Sequence, residues 1–435
     1  MSAQNIKQIS ETLDQSYSAI VKRQFRKNKM AVWSLRFIFV IVFIGLFADF
    51  LSNDKPIACS YKGNTYFPIA KSYGVSLGIA KWPKDIANVD WHSLNYDWAL
   101  LPLIPYSPQY QDLKNDNFKG PFDEQDVPSF RFKHFLGTDK LGRDVMSGMI
   151  QGTRVAMMVG VISMSIAVVI GILLGSLAGY YGDTKLKMSR IRIYMNLLFF
   201  ALGIFYAFMV RSYVLSDALS TSVGSFFIQL LISLFVFFVF MIIANVLVMP
   251  LKKIPFLGTQ VSIPMDILIS RLIEVMVSVP TLLLLLSISA IMSKPSIFVT
   301  MIVIGFLGWT GIAKYVRAEL LKVRSLEFIE AAQALGLSEA RVIFKHAIPN
   351  SLTSVLITIA FGVAGAILTE SSLSFLGIGV APEEVTWGSL LSASRSDVSA
   401  WWLAIFPGFA IFITVTIFNL IGEGLADAMD PRLKQ

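Results

Sequence analysis

Cysteine is nearly absent, histidine is thin and charge is scarce, and each shortage closes a class of explanation. The single cysteine, Cys59, has no intrachain partner, so there is no disulfide framework. The three histidines, His92, His134 and His346, lie far apart without metal-ligand spacing, and no metal site is expected. A nucleotide-binding loop needs Gly-x-x-x-x-Gly-Lys-Ser/Thr, whose lysine reaches the phosphates. "GTDKLGRD" at 137–144 has the glycine spacing but carries Arg143 and Asp144 where that chemistry is required. No Ser-His-Asp constellation can be placed either, so the chain is not expected to be an enzyme. Charged residues make up only 15%, against roughly a quarter in soluble domains.

What the chain has is long apolar runs. Hydrophobic residues make up 55% and the mean hydropathy is +0.64, which points to an integral membrane protein. A helix needs about 20 apolar residues to cross a bilayer. Eight candidates are present: 31–51, 155–179, 193–210, 226–249, 272–292, 296–313, 352–379 and 399–422. The fold class is therefore an all-α polytopic membrane protein of eight spans. The first run is too long for the apolar region of a signal peptide and reads as a retained anchor. Pro280 removes a backbone hydrogen bond inside the fifth run and is expected to kink it.

Basic residues flanking the runs set the expected orientation. Lys22, Arg23, Arg26, Lys27 and Lys29 precede the first span, which places the N-terminal segment in the cytoplasm. With eight spans, the basic loops 180–192, 250–271 and 314–351 fall on the same side, as does the C-terminus. The loops 211–225 and 380–398 hold one basic residue each, Arg211 and Arg395. Topology thus accounts for the net charge of +8, and no nucleic-acid partner is implied. Residues 52–153, with Trp82, Trp91 and Trp98, read as an ordered extracytoplasmic segment.

Between the sixth and seventh spans lies "EAAQALGLSEARVIFKHAIPN", 330–350. Ala331, Ala332, Ala334 and Leu335 favour a helix, and Gly336 stands where a left-handed C-terminal cap would end it, with Leu337 folding back. Ser338 can cap a second short helix, which Pro349 is expected to close. Alanines and a glycine at a cytoplasmic turn suit close approach by another protein.

"EAAQALG" followed by "HAIPN" resembles the EAA loop of ABC importer permeases, at Glu330, Ala331, Ala332, Gly336 and Pro349. Four further stretches are similar to the dipeptide and oligopeptide branch of that family: "FLGTDKLGRDVMSGMIQGTRVAMMVG" (135–160), "RLIEVMVSVPTLLLLL" (271–286), "TESSLSFLGIGVAPEEVTWGSLL" (369–391) and "GEGLADAMDPRLK" (422–434). Within it, "SNDKPI" and "YFPIA" in 52–70 and the long external segment resemble permeases of the microcin C and oligopeptide importer subgroup.

The resemblance implies a permease subunit in the bacterial inner membrane, importing peptides or peptide-like solutes. It implies a second permease subunit, two cytosolic ATPase subunits or domains, and an extracytoplasmic solute-binding protein as partners, besides membrane lipid. ATP and Mg would sit on the ATPases, with no cofactor on this chain. Glu330 would orient or anchor the coupling loop, Ala331 and Ala332 would permit close packing, and Gly336 with Leu337 would form the turn. The expected division is a cytoplasmic segment 1–30, a first span 31–51, an external segment 52–153 and a second span 154–182. An inserted pair of helices, 183–265, departs from the family pattern and precedes a permease core, 266–435, whose coupling loop is 314–350.

Two further features are weighed on the residues themselves. Glu370 is the first formally charged residue after Lys345, and an ionisable group inside a span is costly enough to make it a candidate for the substrate path or a gate. Gly171, Gly175 and Gly179 form one small-residue face suited to close helix packing, within the chain or against a second permease. Rival readings are an ion-gradient transporter, for which Glu370 is the only obvious ion ligand, an importer of nickel or metal chelates, and a membrane scaffold.

Overall fold

Lipid offers no partners to a backbone, so apolar runs must satisfy their own hydrogen bonds, and helix does this within one segment. The computed structural model of the chain describes residues 17–76, 78–83, 86, 89–221, 223–291, 296–381 and 383–429. The first 16 residues of the expected cytoplasmic segment and "DPRLK" near the C-terminus lie outside these. Among the described residues, seven helices are long and apolar enough to cross a membrane. An eighth crossing results if the bent pair Met265–Ser278 and Thr281–Ala290 counts as one span. The chain falls into two compact units, Leu177–Leu272 and the remainder.

In the larger unit, α1 (Tyr17–Phe25) leads to α2 (Lys29–Leu46), whose first turn is capped by Asn28 Oδ1 accepting from Ala31 N at 3.1 Å. Three short strands follow: β1 (Ala58–Tyr61), β2 (Asn64–Tyr66) and β3 (Trp98–Leu100), with α3 (Pro68–Ser76) between the second and third. They pair antiparallel in the order β2-β1-β3, with Cys59 opposite both Tyr66 and Ala99. Lys62 and Gly63 both have positive φ at the β1–β2 turn, the twist a two-residue hairpin needs. Cys59 is buried in the sheet as a free thiol.

α4 (Val145–Ser176) begins ten residues before the expected span. Ser147, Gln151, Thr153 and Arg154 make this first part too polar to read as a lipid-facing run. Inside the protein they are satisfied: Ser147 donates to Tyr106 O at 2.9 Å and Arg154 Nε to Gly45 O at 2.9 Å. Residues 145–153, expected in the external segment, are therefore helical.

α8 (Met265–Ser278), which begins within the smaller unit's last residues, and α9 (Thr281–Ile291) are bent by 76° across Pro280. The expected kink is thus a full break. α10 (Ile297–Val323) then crosses α4 at close range. A Cβ on Gly171 would stand 2.7 Å from Ile312 Cβ, and one on Gly175 2.7 Å from Ala313 O. From the other side, Gly305 admits Ser163, whose hydroxyl donates to Met301 O at 2.8 Å. Small residues let two backbones approach where lipid supplies no hydrophobic drive for association. α13 (Ile348–Phe375) packs on both α4 and α10, and α15 (Trp402–Met429) packs on α13 and α2. Val159, Met301, Ile304, Ala366 and Leu373 meet at the centre.

In the smaller unit, β4 (Lys187–Ser189) and β5 (Gln260–Ser262) pair antiparallel and close the base of a helical hairpin. Its arms are α5 (Arg190–Ile204), continued by a widened turn at Phe205–Met209, and α7 (Val223–Leu251), with α6 (Ser212–Thr221) at the tip. Rings fill the seam: Tyr206 stacks on Phe240 at 5.4 Å and Phe200 meets Phe237 edge-on at 5.6 Å. Each end carries a polar clamp. Arg192 donates to Asn245 Oδ1 at 2.8 and 3.1 Å, and Arg211 donates to Gln229 Oε1 at 2.6 Å and Ser233 Oγ at 3.0 Å. Gly179, expected on one face with Gly171 and Gly175, is buried in a widened helical turn, Leu177–Tyr181.

Candidate coupling site

α10 has 27 residues, which makes it about 40 Å long, and the two ends of the larger unit it connects carry different chemistry. At its C-terminal end, Leu326 turns the chain into α11 (Glu327–Ala334), with Glu327 and Glu330 in the first turn where the helix dipole favours them. Ile329 and Ala332 are buried against the protein. An adjacent face, Phe328, Ala331 and Leu335 at helical spacing, is exposed, with Leu335 82% accessible. The two alanines of the motif therefore differ: Ala332 packs inward and Ala331 faces out.

The end of α11 is a two-bond left-handed cap. Gly336 N donates to Gln333 O at 2.9 Å and Leu337 N to Ala332 O at 3.3 Å, with Gly336 at φ +75°. No atom lies within 4 Å of where a Gly336 Cβ would be. The glycine is thus required here by backbone conformation, and inside the chain nothing crowds it. Glu330 is exposed and, among the described residues, has no hydrogen-bond or ion-pair partner, so it does not anchor the loop from within.

Two expectations about the second short helix are corrected. Ser338 occupies the N-cap position of α12 (Glu339–Val342), but its side chain makes no capping hydrogen bond. Pro349 does not close that helix. α12 runs through a widened turn, Ile343–Ala347, directly into α13, where Pro349 sits in the first turn. A proline lacks its N–H and its ring clashes with the carbonyl four residues back; a wider turn relieves both. The loop is therefore one rigid piece with the span that follows, anchored by the buried Val342, Ile343 and Ala347.

At the N-terminal end of α10 lie two open cavities of about 420 and 430 Å³ that share Pro108, Glu384 and Val385 in their walls. The first presents Asp49, Lys55, Tyr73, Gln151, Arg154 and Glu384. Asp49 gathers this cluster, accepting from Arg154 Nη1 at 2.9 Å, Gln151 Nε2 at 2.8 Å and the Tyr73 hydroxyl. Glu384 accepts from Ile297 N at 3.2 Å, capping α10.

Glu370 lies near the same end of α13 but is only 1% exposed and lines neither cavity. Its carboxylate accepts from Ser374 Oγ at 2.6 Å and is also hydrogen-bonded by Ser371 and Thr386. Thr386 is the N-cap of α14 (Trp387–Ala393), in a reciprocal capping box with Ser389. Gly388 lets α14 sit against the Ser371 carbonyl, and Trp387 Nε1 donates to Met149 O of α4 at 3.0 Å. The arrangement makes Glu370 a brace for α14.

Sequence reasoning passed over Asp49, Arg154 and Glu384. Asp49 carried a legible signal, being a carboxylate inside the first apolar run, 31–51, and Arg154 stands immediately before the second, 155–179; Glu384 belongs to a loop, where carboxylates are ordinary.

Residues 256–435 match the family described as binding-protein-dependent transport system inner membrane component, and residues 16–68 match the N-terminal TM domain of oligopeptide transport permease C. The chain is 26% identical over 413 residues to the inner membrane ABC transporter permease protein YejE of Escherichia coli, covering 94% of this chain and 95% of the relative. It is 30% identical over 308 residues to the oligopeptide transport system permease protein OppC of Haemophilus influenzae, covering 70% and 73%. The dipeptide transport system permease protein DppC of Alkalihalophilus pseudofirmus is 28% identical over 334 residues, covering 77% and 80%.

Proposed function

This chain belongs to the family of binding-protein-dependent transport system inner membrane components, in its oligopeptide and dipeptide permease branch, and from that premise we propose that it carries peptides inward by moving α10 and α13 against α4. It is a multi-pass inner-membrane permease subunit, and ATP hydrolysis falls to separate ATPase subunits. A system of this kind implies a partner permease, ATPases and a binding protein.

The observation that carries the mechanism is the outward apolar face of α11. Phe328, Ala331 and Leu335 are exposed beside a turn whose glycine has open space around it. An apolar ridge left bare on a polar loop marks a contact surface. An ATPase pair, one member for this chain and one for a second, different permease, receives the ridge, and Glu330 meets a partner donor. The basic flanks support a cytoplasmic side for α11 and both termini, and an outer side for the two cavities.

Closure of the ATPases on ATP displaces α11. Because α12 is continuous with α13, and α11 follows α10, the displacement reaches the cavity end through two helices rather than a flexible tether. ATP biases the equilibrium only through its different affinity for the two states, and the loaded binding protein does so from the other side. Glu370 holds α14 to α13, so that α14 travels with it and opens or closes the cavity mouths. The inserted pair of helices, 183–265, is given no step in this reading. An ion-gradient mechanism is disfavoured because the carboxylate of Glu370 is enclosed by hydroxyls and lines neither of the two cavities.

The test is uptake of a labelled tripeptide by proteoliposomes holding the assembled system. Uptake that needs internal ATP and the binding protein supports the reading. Uptake driven by an imposed proton or sodium gradient without ATP contradicts it.

A further inference from the structure

The ring of His134 is completely buried, yet each of its nitrogens faces a carboxylate. Nδ1 lies 2.8 Å from Asp144 Oδ2 and Nε2 lies 3.3 Å from Asp112 Oδ2. A neutral imidazole has one N–H and one lone pair, so it would turn the lone pair toward one of these oxygens. An imidazolium donates to both.

The surroundings complete a joint between distant parts of the chain. Tyr106 stacks on the ring at 4.4 Å, and its hydroxyl donates to Phe132 O at 2.7 Å. Asp112 also accepts from Asn115 Nδ2 at 2.8 Å, in the turn that carries it, and from Lys114 N at 3.1 Å. Asp144 uses its other oxygen to cap the first turn of α4, accepting from Ser147 N at 2.6 Å. Asp139, on the neighbouring turn, takes the Arg143 guanidinium at 2.6 Å. Gln125 holds the backbone of His134 on both sides, accepting from its N–H at 2.8 Å and donating to its carbonyl at 3.1 Å. The Tyr106 carbonyl accepts from Ser52 and Ser147, and Ser107 and Pro108, which follow it, line the first cavity. Asp144 lines the second.

We propose that His134 is a positioning residue for transport: as an imidazolium between Asp112 and Asp144, it locks the 106–144 segment onto the first turn of α4 and so sets the walls of both cavities. Burial alone pushes the His134 pKa down, but Asp144 and Asp112 outweigh it and hold the pKa above the usual histidine value. Burial likewise opposes ionisation of Asp112, and hydrogen bonds from Asn115 and His134 prevail, keeping that carboxyl below its usual value. The sign follows from linkage. A raised histidine stabilises fully below about pH 6.5, its unfolded pKa, and loses the contribution as pH rises through the folded pKa. The lowered Asp112 keeps the joint intact into mild acid.

The experiment rests on the transport reading in one arm only. In the first arm, the full chain is labelled with 15N-histidine in nanodiscs, and the three histidines are assigned with His92→Gln and His346→Gln. Ring nitrogens of His134 both protonated at pH 7.5 support the proposal; a single neutral tautomer overturns it whatever the protein transports. In the second arm, ATP hydrolysis by the assembled system with its binding protein is followed against pH for wild type and Asp112→Asn. Losing one carboxylate should move the alkaline limb of the ratio to wild type down by ~1 pH unit. A uniform loss at every pH, or an unmoved limb in a folded variant, shows a structural role only and overturns the positioning claim.

Discussion

The larger unit and the inserted hairpin solve the same problem, holding apolar helices together in lipid, with opposite materials. Where α4 crosses α10, Gly171, Gly175 and Gly305 bring backbone against backbone, and Ser163 bonds straight to a carbonyl. Between α5 and α7, rings hold the helices apart and arginine clamps pin the ends. Backbone contact is intolerant of added volume, whereas ring contacts can yield. On the reading proposed above, a crossing with no slack passes a small displacement at one end of α10 on rather than absorbing it.

Adding the same side chain in both places tests this contrast most severely. Gly175→Leu places a Cβ 2.7 Å from the Ala313 carbonyl, where only main chain could move. Gly203→Leu in the hairpin meets the Phe237 ring at 3.0 Å, and a ring can turn. Thermal unfolding in detergent should show Gly175→Leu destabilised beyond the 1–3 kcal/mol usual for overpacking, with Gly203→Leu at or below that range. Equal losses would remove the distinction.

A smaller effect is expected from a clamp. Arg211→Ala deletes two interhelical hydrogen bonds and leaves the fully buried Ser233 hydroxyl without that donor. Such bonds in membranes average about 0.6 kcal/mol each, so the loss should be about 1 kcal/mol, with tripeptide uptake by the assembled system unchanged. A fall in uptake would mean that the hairpin takes part in transport.

The contrast also explains what could be read in advance. The cap at Gly336 and a bend at Pro280 were legible because both are written in neighbouring residues, though the bend is a full break where only a kink was expected. Helical spacing alone puts Gly171 and Gly175 on one face, whereas Gly179 stands in a widened turn that spacing does not announce. The start of α4 was hidden because Arg154 and Gln151 look wrong for a span until Asp49 and the Gly45 carbonyl, about a hundred residues away, are seen to take them. Pro349 misled for a related reason: a wide turn carries the helix through it, and no single residue announces that turn. Glu370 was singled out by its setting, but its partner Thr386 belongs to a different helix.

The most direct test of coupling through α11 is affinity purification of the chain from mild detergent, comparing wild type with Leu335→Glu and Gly336→Asn. Asparagine tolerates the left-handed conformation and nothing in the chain crowds that site, so both variants should unfold at the wild-type temperature. The account predicts that wild type brings down an ATPase and a second permease. Both variants should keep the permease and lose the ATPase by at least about tenfold, as loss of a contact hot spot requires. Undiminished ATPase recovery in both folded variants would contradict it.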